Sequence, residues 1–320
     1  MTPLLEIKHL KKYFQTPRGL LHAVDDVNLT LARGSTLGVV GESGCGKSTL
    51  GRTVLRLTNA TGGEVLFEGR DVVKMRKKEL ADFRNQAQII FQDPYASLNP
   101  RMTVFEIIAE PLIAGHILQN SADIERAVFK MMDTVGLAAR LVNTYPHELD
   151  GGRRQRIGIG RALILEPKFI VCDEPVSALD VSIQAQILNL LIDLQKDKGL
   201  AYMFITHDLS VVKHISNEIA VMYLGCCVER GPAGEIFTNP LHPYTRALLQ
   251  AIPVPNLSRR GMKREVLKGE VSSPIDPNPG CRFAARCPLA SAACTAGDVS
   301  LQEYTPGHFC ACALCRGGSQ

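Results

Sequence analysis

Three observations predict an α/β fold organised on a mostly parallel sheet. Short apolar runs suited to buried strands recur at residues 36–40, 88–91, 169–172 and 202–206. Stretches with helical spacing of apolar residues separate them, an alternation that covers both faces of a sheet with helices. Between the first run and the first such helix stands Gly41-Glu42-Ser43-Gly44-Cys45-Gly46-Lys47-Ser48-Thr49, which fits the phosphate-loop pattern G-x-x-x-x-G-K-[ST]. A strand, a glycine-rich loop and a helix in that order aim backbone N–H groups and a helix N-terminus at an anion. Lys47 is expected to reach the β- and γ-phosphates and Ser48 to hold Mg²⁺.

Residues 4–31 alternate apolar and polar positions around Pro17-Arg18-Gly19, the pattern of a small antiparallel sheet. Tyr13 and Phe14 end its first strand; either ring suits core packing or stacking on a base. Residues 62–69 predict another short strand. After Gln92, Asp93–Pro100 is a proline-bounded loop, and helical patterning then prevails to about residue 147. Glu148–Arg156 places a glycine pair before a further helix. Phe169–Glu174 is an apolar strand ending in two carboxylates, where ligands bind in open α/β sheets. Ser177–Asp180 leads into a helix, Tyr202–Thr206 is the next strand with His207 at its exit, and residues 219–223 look like a further edge of the sheet. From about residue 252, prolines at 253, 255, 274, 277 and 279 suggest a linker.

The chain has 320 residues and a net charge of +4, too small to point to nucleic acid. It offers no run of ~18 consecutive apolar residues that would span a membrane, and its N-terminus lacks a secretory leader, so a cytoplasmic location is expected. Of ten cysteines, six (Cys281, Cys287, Cys294, Cys310, Cys312 and Cys315) crowd the last forty residues, which favours metal binding over disulfides in a reducing compartment.

These residues suit phosphoanhydride hydrolysis, in which the protein positions the γ-phosphate, Mg²⁺ and a water and neutralises developing charge. Asp173 would act on Mg²⁺ through its water, Glu174 would polarise the attacking water, Gln92 would sense metal and water, and His207 would bridge Glu174 to the γ-phosphate.

In that order, the pieces resemble the ATP-binding subunit of an ABC transporter. Gly41–Ser48 is similar to its Walker A loop, Gln92 to the Q-loop, Leu149–Arg153 to the signature, Phe169–Glu174 to Walker B with its catalytic glutamate, Ser177–Asp180 to the D-loop and His207 to the switch histidine. The resemblance implies a P-loop ABC nucleotide-binding domain over 1–251: a mostly parallel core sheet, an antiparallel β subdomain, and a helical subdomain at about 98–160. It also implies base stacking by Phe14, with Tyr13 as the alternative. His242–Leu249 and the cysteine tail resemble the oligopeptide/dipeptide importer branch. This implies a linker at 252–280 and a small cysteine-rich C-terminal extension at 281–320, in which Cys281, Cys287, Cys294 and Cys312 hold a 4Fe-4S cluster. Four thiolates suit zinc equally, and the spacing C-x5-C-x6-C-x17-C does not decide between cluster, zinc and free thiols. Cys310 and Cys315 are expected to be bystanders.

Family resemblance further implies a second ABC ATPase subunit, two membrane permeases, an extracytoplasmic substrate-binding protein, and a place on the cytoplasmic face of the cell membrane. Uptake of oligopeptides or dipeptides is the expected function, with nickel or another small solute as the alternative. A soluble ABC-type ATPase acting on ribosomes or DNA is the rival of another class; one cassette and no basic patch weigh against it. Two residues depart from expectation. The family signature usually reads Leu-Ser-Gly-Gly-Gln; here Leu149-Asp150-Gly151-Gly152-Arg153 puts a carboxylate where a hydroxyl would donate to the partner's ATP. At ~5 Å and an effective dielectric of ~20 such a contact costs roughly 3 kcal/mol, which Arg153 would offset. The resulting expectation is an asymmetric pair of sites. Cys45, beside a helix N-terminus, is expected to have a lowered pKa and to be sensitive to alkylation.

Overall fold

The computed structural model describes residues 3–252, 273–297 and 299–315. The chain divides into two compact units, one taking in Leu5–Thr30, Thr36–Val73 and the residues from Thr206 onward, the other Leu31–Ser35 and Lys74–Ile205.

In the first unit, β1 (Leu5–Thr16) and β2 (Gly19–Leu31) are joined by a turn in which Thr16 Oγ1 donates to the Gly19 carbonyl at 2.8 Å. With β4 (Gly62–Phe67) and β5 (Arg70–Asp71) they make a four-stranded sheet ordered β2-β1-β4-β5. Leu5 stands opposite Phe67 and Ile7 opposite Val65, so the period-2 pattern sends all four into the core. Strand β3 (Thr36–Val40) is buried at every position, and α1 (Lys47–Val54) buries Leu50 and Val54.

The second unit begins with α2 (Lys77–Gln86) and β6 (Ala87–Ile90). Helices α3 (Val104–Ala114), α4 (Ser121–Thr134) and α5 (Gly151–Leu163) then pack on one another through Ile107, Ile108, Val128, Met132, Ile157 and Ile159. Their starts are read from local chemistry. Thr103 and Glu106 form a reciprocal capping box on α3, and Asn120 caps α4 by accepting from the Ala122 N–H at 3.0 Å. Strand β7 (Phe169–Asp173), helix α6 (Val181–Lys198) and strand β8 (Ala201–Thr206) follow. Strands β6, β7 and β8 are parallel neighbours, with Ala87 opposite Phe169 and Asp173 opposite Ile205. Strands β7 and β8 are buried throughout and read as continuous apolar runs, as parallel strands covered on both faces do.

The chain then returns to the first unit with α7 (Leu209–Ile215), β9 (Glu218–Tyr223), β10 (Cys226–Pro232), α8 (Ala233–Thr238) and α9 (Pro243–Ala251). Residues 219–223 are not an edge. Strand β9 lies between β3, which it pairs in parallel, and β10, which it pairs antiparallel; its unbroken apolar run is what a strand with neighbours on both sides requires. The cysteine-rich tail adds β11 (Gln302–Thr305) and β12 (His308–Cys310), and β12 pairs with β10, placing Cys310 opposite Glu229. The fully buried Glu229 carboxylate accepts from His308 Nε2 (2.8 Å) and from the N–H groups of Leu241 (2.8 Å) and His242 (2.9 Å). Most of the expected linker, residues 253–272, lies outside the described residues. Near its end Ile275 bridges to Leu21, and the His22 N–H donates to the Pro274 carbonyl at 3.0 Å.

Candidate nucleotide site

Glycine fixes the shape of the loop from Gly41 to Thr49. Gly46, the residue before α1, has φ 102°, and a Cβ there would stand 2.0 Å from the Ala23 carbonyl oxygen, so no other residue fits without displacing β2. Lys47, almost fully buried, donates from Nζ to the carbonyls of Gly41 and Glu42, both at 2.9 Å. The Glu42 N–H donates to the Tyr244 hydroxyl at 2.9 Å, and the Cys45 carbonyl accepts from the Gly225 N–H at 2.9 Å. The expectation for Cys45 is corrected: the thiol is 3 % exposed and its pKa is raised, because burial outweighs the attraction of the Lys47 ammonium 3.9 Å away.

Of the two aromatic candidates, Tyr13 is engaged. Its ring stacks on His22 with centroids 4.0 Å apart, and its hydroxyl donates to Asp25; burial and that bond push its pKa up. Phe14 is 37 % exposed, with the Lys12 ammonium 4.5 Å over its ring.

In the other unit, Asp173 is buried at the end of β7 and Glu174 follows with φ 47°, a left-handed conformation that a non-glycine residue holds only where its surroundings fix it. Here the Glu174 N–H donates to the Ile205 carbonyl at 2.9 Å, and its own carbonyl accepts from the Ser177 hydroxyl at 3.1 Å. Gln92, from the loop after β6, donates through Nε2 to Glu174 Oε2 at 3.2 Å. The structure thus brings Gln92 and Glu174 together. His207, at the exit of β8, is exposed and belongs with Ser48 and the phosphate loop to the first unit.

Asp150 is the N-cap of α5. Its Oδ1 accepts from the Arg153 N–H at 2.8 Å, and Oδ2 lies 3.3 Å from the Arg153 guanidinium, both side chains half exposed. Leu149 is buried. Gly152 is required by packing: a Cβ would come within 2.8 Å of Ile183 Cγ2 on α6.

In the tail, the Cys281 N–H donates to the Cys294 carbonyl at 2.8 Å. Burial raises the Cys281 pKa, and the neighbouring thiols of Cys294, Cys312 and Cys287 raise it further; Cys287 is raised by burial and by Cys294 and Cys312. Among the described residues no three His, Cys, Asp or Glu side chains stand in place to hold one ion as they are. Cys315 Sγ lies 3.9 Å from Cys310 Sγ, and its pKa is raised to about 11, chiefly by that neighbour.

Comparison with known proteins identifies the family. The family model described as "ABC transporter" matches residues 24–177, and that of "Oligopeptide/dipeptide transporter, C-terminal region" matches 228–294. The oligopeptide transport ATP-binding protein OppF of Salmonella typhimurium is 55% identical over 290 residues, covering 90% of this chain and 87% of the relative. The chain belongs to the ABC transporter family, in its oligopeptide/dipeptide branch. The putative oligopeptide transport ATP-binding protein YkfD of Bacillus subtilis is 50% identical over 316 residues, covering 98% of this chain and 96% of that protein. Among solved structures, the post-hydrolysis dimer of the ATP-binding cassette MJ0796 bound to ADP and Pi is similar with a TM-score of 0.66 and 27% identity, covering 72% of this chain and 98% of that one. This ABC family chain has the ATP-binding cassette fold and is an ATPase. No helix among the described residues is long and apolar enough to cross a membrane.

Sequence reading missed Tyr244, Arg282 and Arg286 around the phosphate loop. Tyr244 lies in the His242–Leu249 motif, but nothing local ties it or the two arginines to the loop, since Tyr244 and Arg286 meet Glu42 across 202 and 244 residues of chain.

Proposed function

We propose that this chain energises uptake of oligopeptides or dipeptides as one of two ATPase subunits docked on two membrane permeases, at the cytoplasmic face of the membrane and fed by an external substrate-binding protein. The relatives' oligopeptide specificity supports the cargo class. The observation that carries the reading is the Gln92–Glu174 contact at the end of β7: it sets a hydrogen-bond donor on the carboxylate best placed to act as base, beside buried Asp173.

The phosphate loop from Gly41 to Thr49 binds the triphosphate, with Lys47 neutralising the β- and γ-phosphates. Ser48, Gln92 and Asp173 are the residues that would hold Mg²⁺, which would neutralise charge on the phosphates. Glu174 takes the proton of the attacking water and His207 orients the γ-phosphate. Phe14 rather than Tyr13 stacks on the base, because the Tyr13 ring and hydroxyl are already engaged. Leu149–Arg153 faces the nucleotide of the partner subunit. Cys281, Cys287, Cys294 and Cys312 would hold a 4Fe-4S cluster, or zinc in its place; four thiolates suit either, and the hydrogen bond from the Cys281 N–H to the Cys294 carbonyl joins two of the segments that carry them. An anaerobic absorption spectrum with no broad band near ~400 nm, together with no bound iron, would remove the cluster.

The deciding experiment reconstitutes the assembled transporter in vesicles with its external receptor. Peptides are expected to stimulate ATP hydrolysis and to accumulate inside. Stimulation by nickel and by no peptide would replace the cargo class.

A further inference from the structure

Cys281 and Cys287 bracket Arg282-Phe283-Ala284-Ala285-Arg286, and the three large side chains of this stretch all engage residues that shape the phosphate loop. Arg286 donates from Nη1 and Nη2 to the two carboxylate oxygens of Glu42, at 2.7 and 3.0 Å, with the Arg286 side chain 7 % exposed. Arg282 donates to the Leu224 carbonyl and to Asp25. Gly225, the next residue, donates to the Cys45 carbonyl and accepts from the Asp25 N–H. Phe283 is fully buried, 5.3 Å between ring centroids from both Tyr223 and Tyr244, and Tyr244 receives the Glu42 N–H.

Glu42 is the point on which these contacts meet. Its carbonyl accepts from Lys47 Nζ, so wherever Glu42 is held, Lys47 is held too. Its carboxylate carries the wrong sign for a loop that receives a polyanion, and a bidentate guanidinium both cancels that charge and fixes the residue in space. Asp25 is the second such carboxylate, shared by Arg282, Tyr13 and His22.

We propose that Arg286 and Arg282 are positioning residues for ATP, and that the Cys281–Cys287 segment is a clamp through which the C-terminal region sets nucleotide affinity. The proposal rests on reading Gly41–Thr49 as the ATP site. It gives the cysteine site a route to the ATPase that requires no contact between cysteine and nucleotide.

The test is an equilibrium titration of the assembled transporter with a fluorescent ATP analogue, alongside steady-state hydrolysis. Arg286→Gln is expected to raise Kd and KM about tenfold, as loss of one partner of a nearly buried charge pair does, while kcat moves less than about twofold. Arg286→Lys should retain affinity to within about threefold, and Glu42→Gln/Arg286→Gln should recover most of the loss, because the uncompensated carboxylate is gone. Unchanged affinity in Arg286→Gln, or a double variant as weak as the single, overturns the clamp. If Arg286→Gln does not assemble, Arg282→Gln decides: a loss of affinity of about tenfold with kcat within about twofold supports the proposal, and unchanged affinity overturns it. Lys47→Ala separates the premises. Full binding without Lys47 removes the site itself, whereas loss in Lys47→Ala with none in Arg286→Gln removes only the clamp.

Discussion

The phosphate loop and the Asp150 helix start are both glycine-containing turns that open a helix, yet they are held in opposite ways. Around the loop the partners come from far along the chain: Tyr244 on the Glu42 N–H and Arg286 on its carboxylate, with Lys47 almost fully buried. At Asp150 the partner is Arg153, one turn away, and both side chains are half exposed. A site assembled from distant, buried contacts resists substitution and is sensitive to the stability of its surroundings; one assembled from a local cap in water tolerates exchange. The end of β7 combines the two modes: the strained backbone at Glu174 is held by nearby Ser177 and by the more distant Ile205 and Gln92.

The sharpest division is between gripping the nucleotide and reacting with it. Glu174→Gln preserves shape and removes the base, so kcat is expected to fall by about 10²- to 10³-fold with ATP affinity kept. Phosphate release measured beside nucleotide binding checks this. Retained hydrolysis would move the base to another residue.

Next in size is the acid sensitivity of the loop's support. His242, next to Pro243 at the start of α9, accepts from the Tyr244 N–H, and burial lowers its pKa to about 4 despite the nearby Glu229. The unfolded chain takes up this proton near pH 6.5 and the folded chain refuses it. Its contribution is therefore complete above pH 6.5 and is lost as pH falls toward about 4, by about 3 kcal/mol in all. Denaturant midpoints measured across that window should fall with pH, and the fall should flatten in His242→Gln. An unchanged slope would assign the acid sensitivity to other groups.

A smaller effect is expected at Cys45. With the thiol buried and its pKa raised, alkylation of the folded protein should run at least about tenfold slower than that of the unfolded chain. Equal rates would show that the loop opens freely and that its buried contacts do not hold it.

What sequence made legible follows the same line. The strand–loop–helix run around the phosphate loop, the carboxylates ending β7 and the helix that opens after Asp150 and its glycine pair are short-range patterns, each written in residues a few positions apart. The pairing of β12 with β10 and the contacts of Arg282 and Arg286 depend on residues more than fifty positions apart, and no periodicity encodes such meetings. Cys45 departs from expectation for a related reason: a helix N-terminus is visible in sequence, whereas the burial that outweighs it, leaving the residue 3 % exposed, arises only in the folded loop.

The smallest effect is expected where the departure from the family pattern is most visible. Taken in isolation, a carboxylate at Asp150 facing a partner's γ-phosphate would oppose it by roughly 3 kcal/mol at an effective dielectric of ~20. In this chain, Asp150 Oδ1 is occupied by the Arg153 N–H and Oδ2 is paired with the Arg153 guanidinium in water, so the net opposition shrinks below about 1 kcal/mol. Asp150→Ser keeps an N-cap oxygen and adds a donor. Single-turnover hydrolysis at the partner's site should then quicken by no more than about fivefold, with the turnover at this chain's own Walker A unchanged. A gain of a hundredfold would mean that the Arg153 pair opens when the subunits close, making this half-exposed cap the slow element of the opposite site. No gain at all would mean that Arg153 already supplies what the missing hydroxyl would have given.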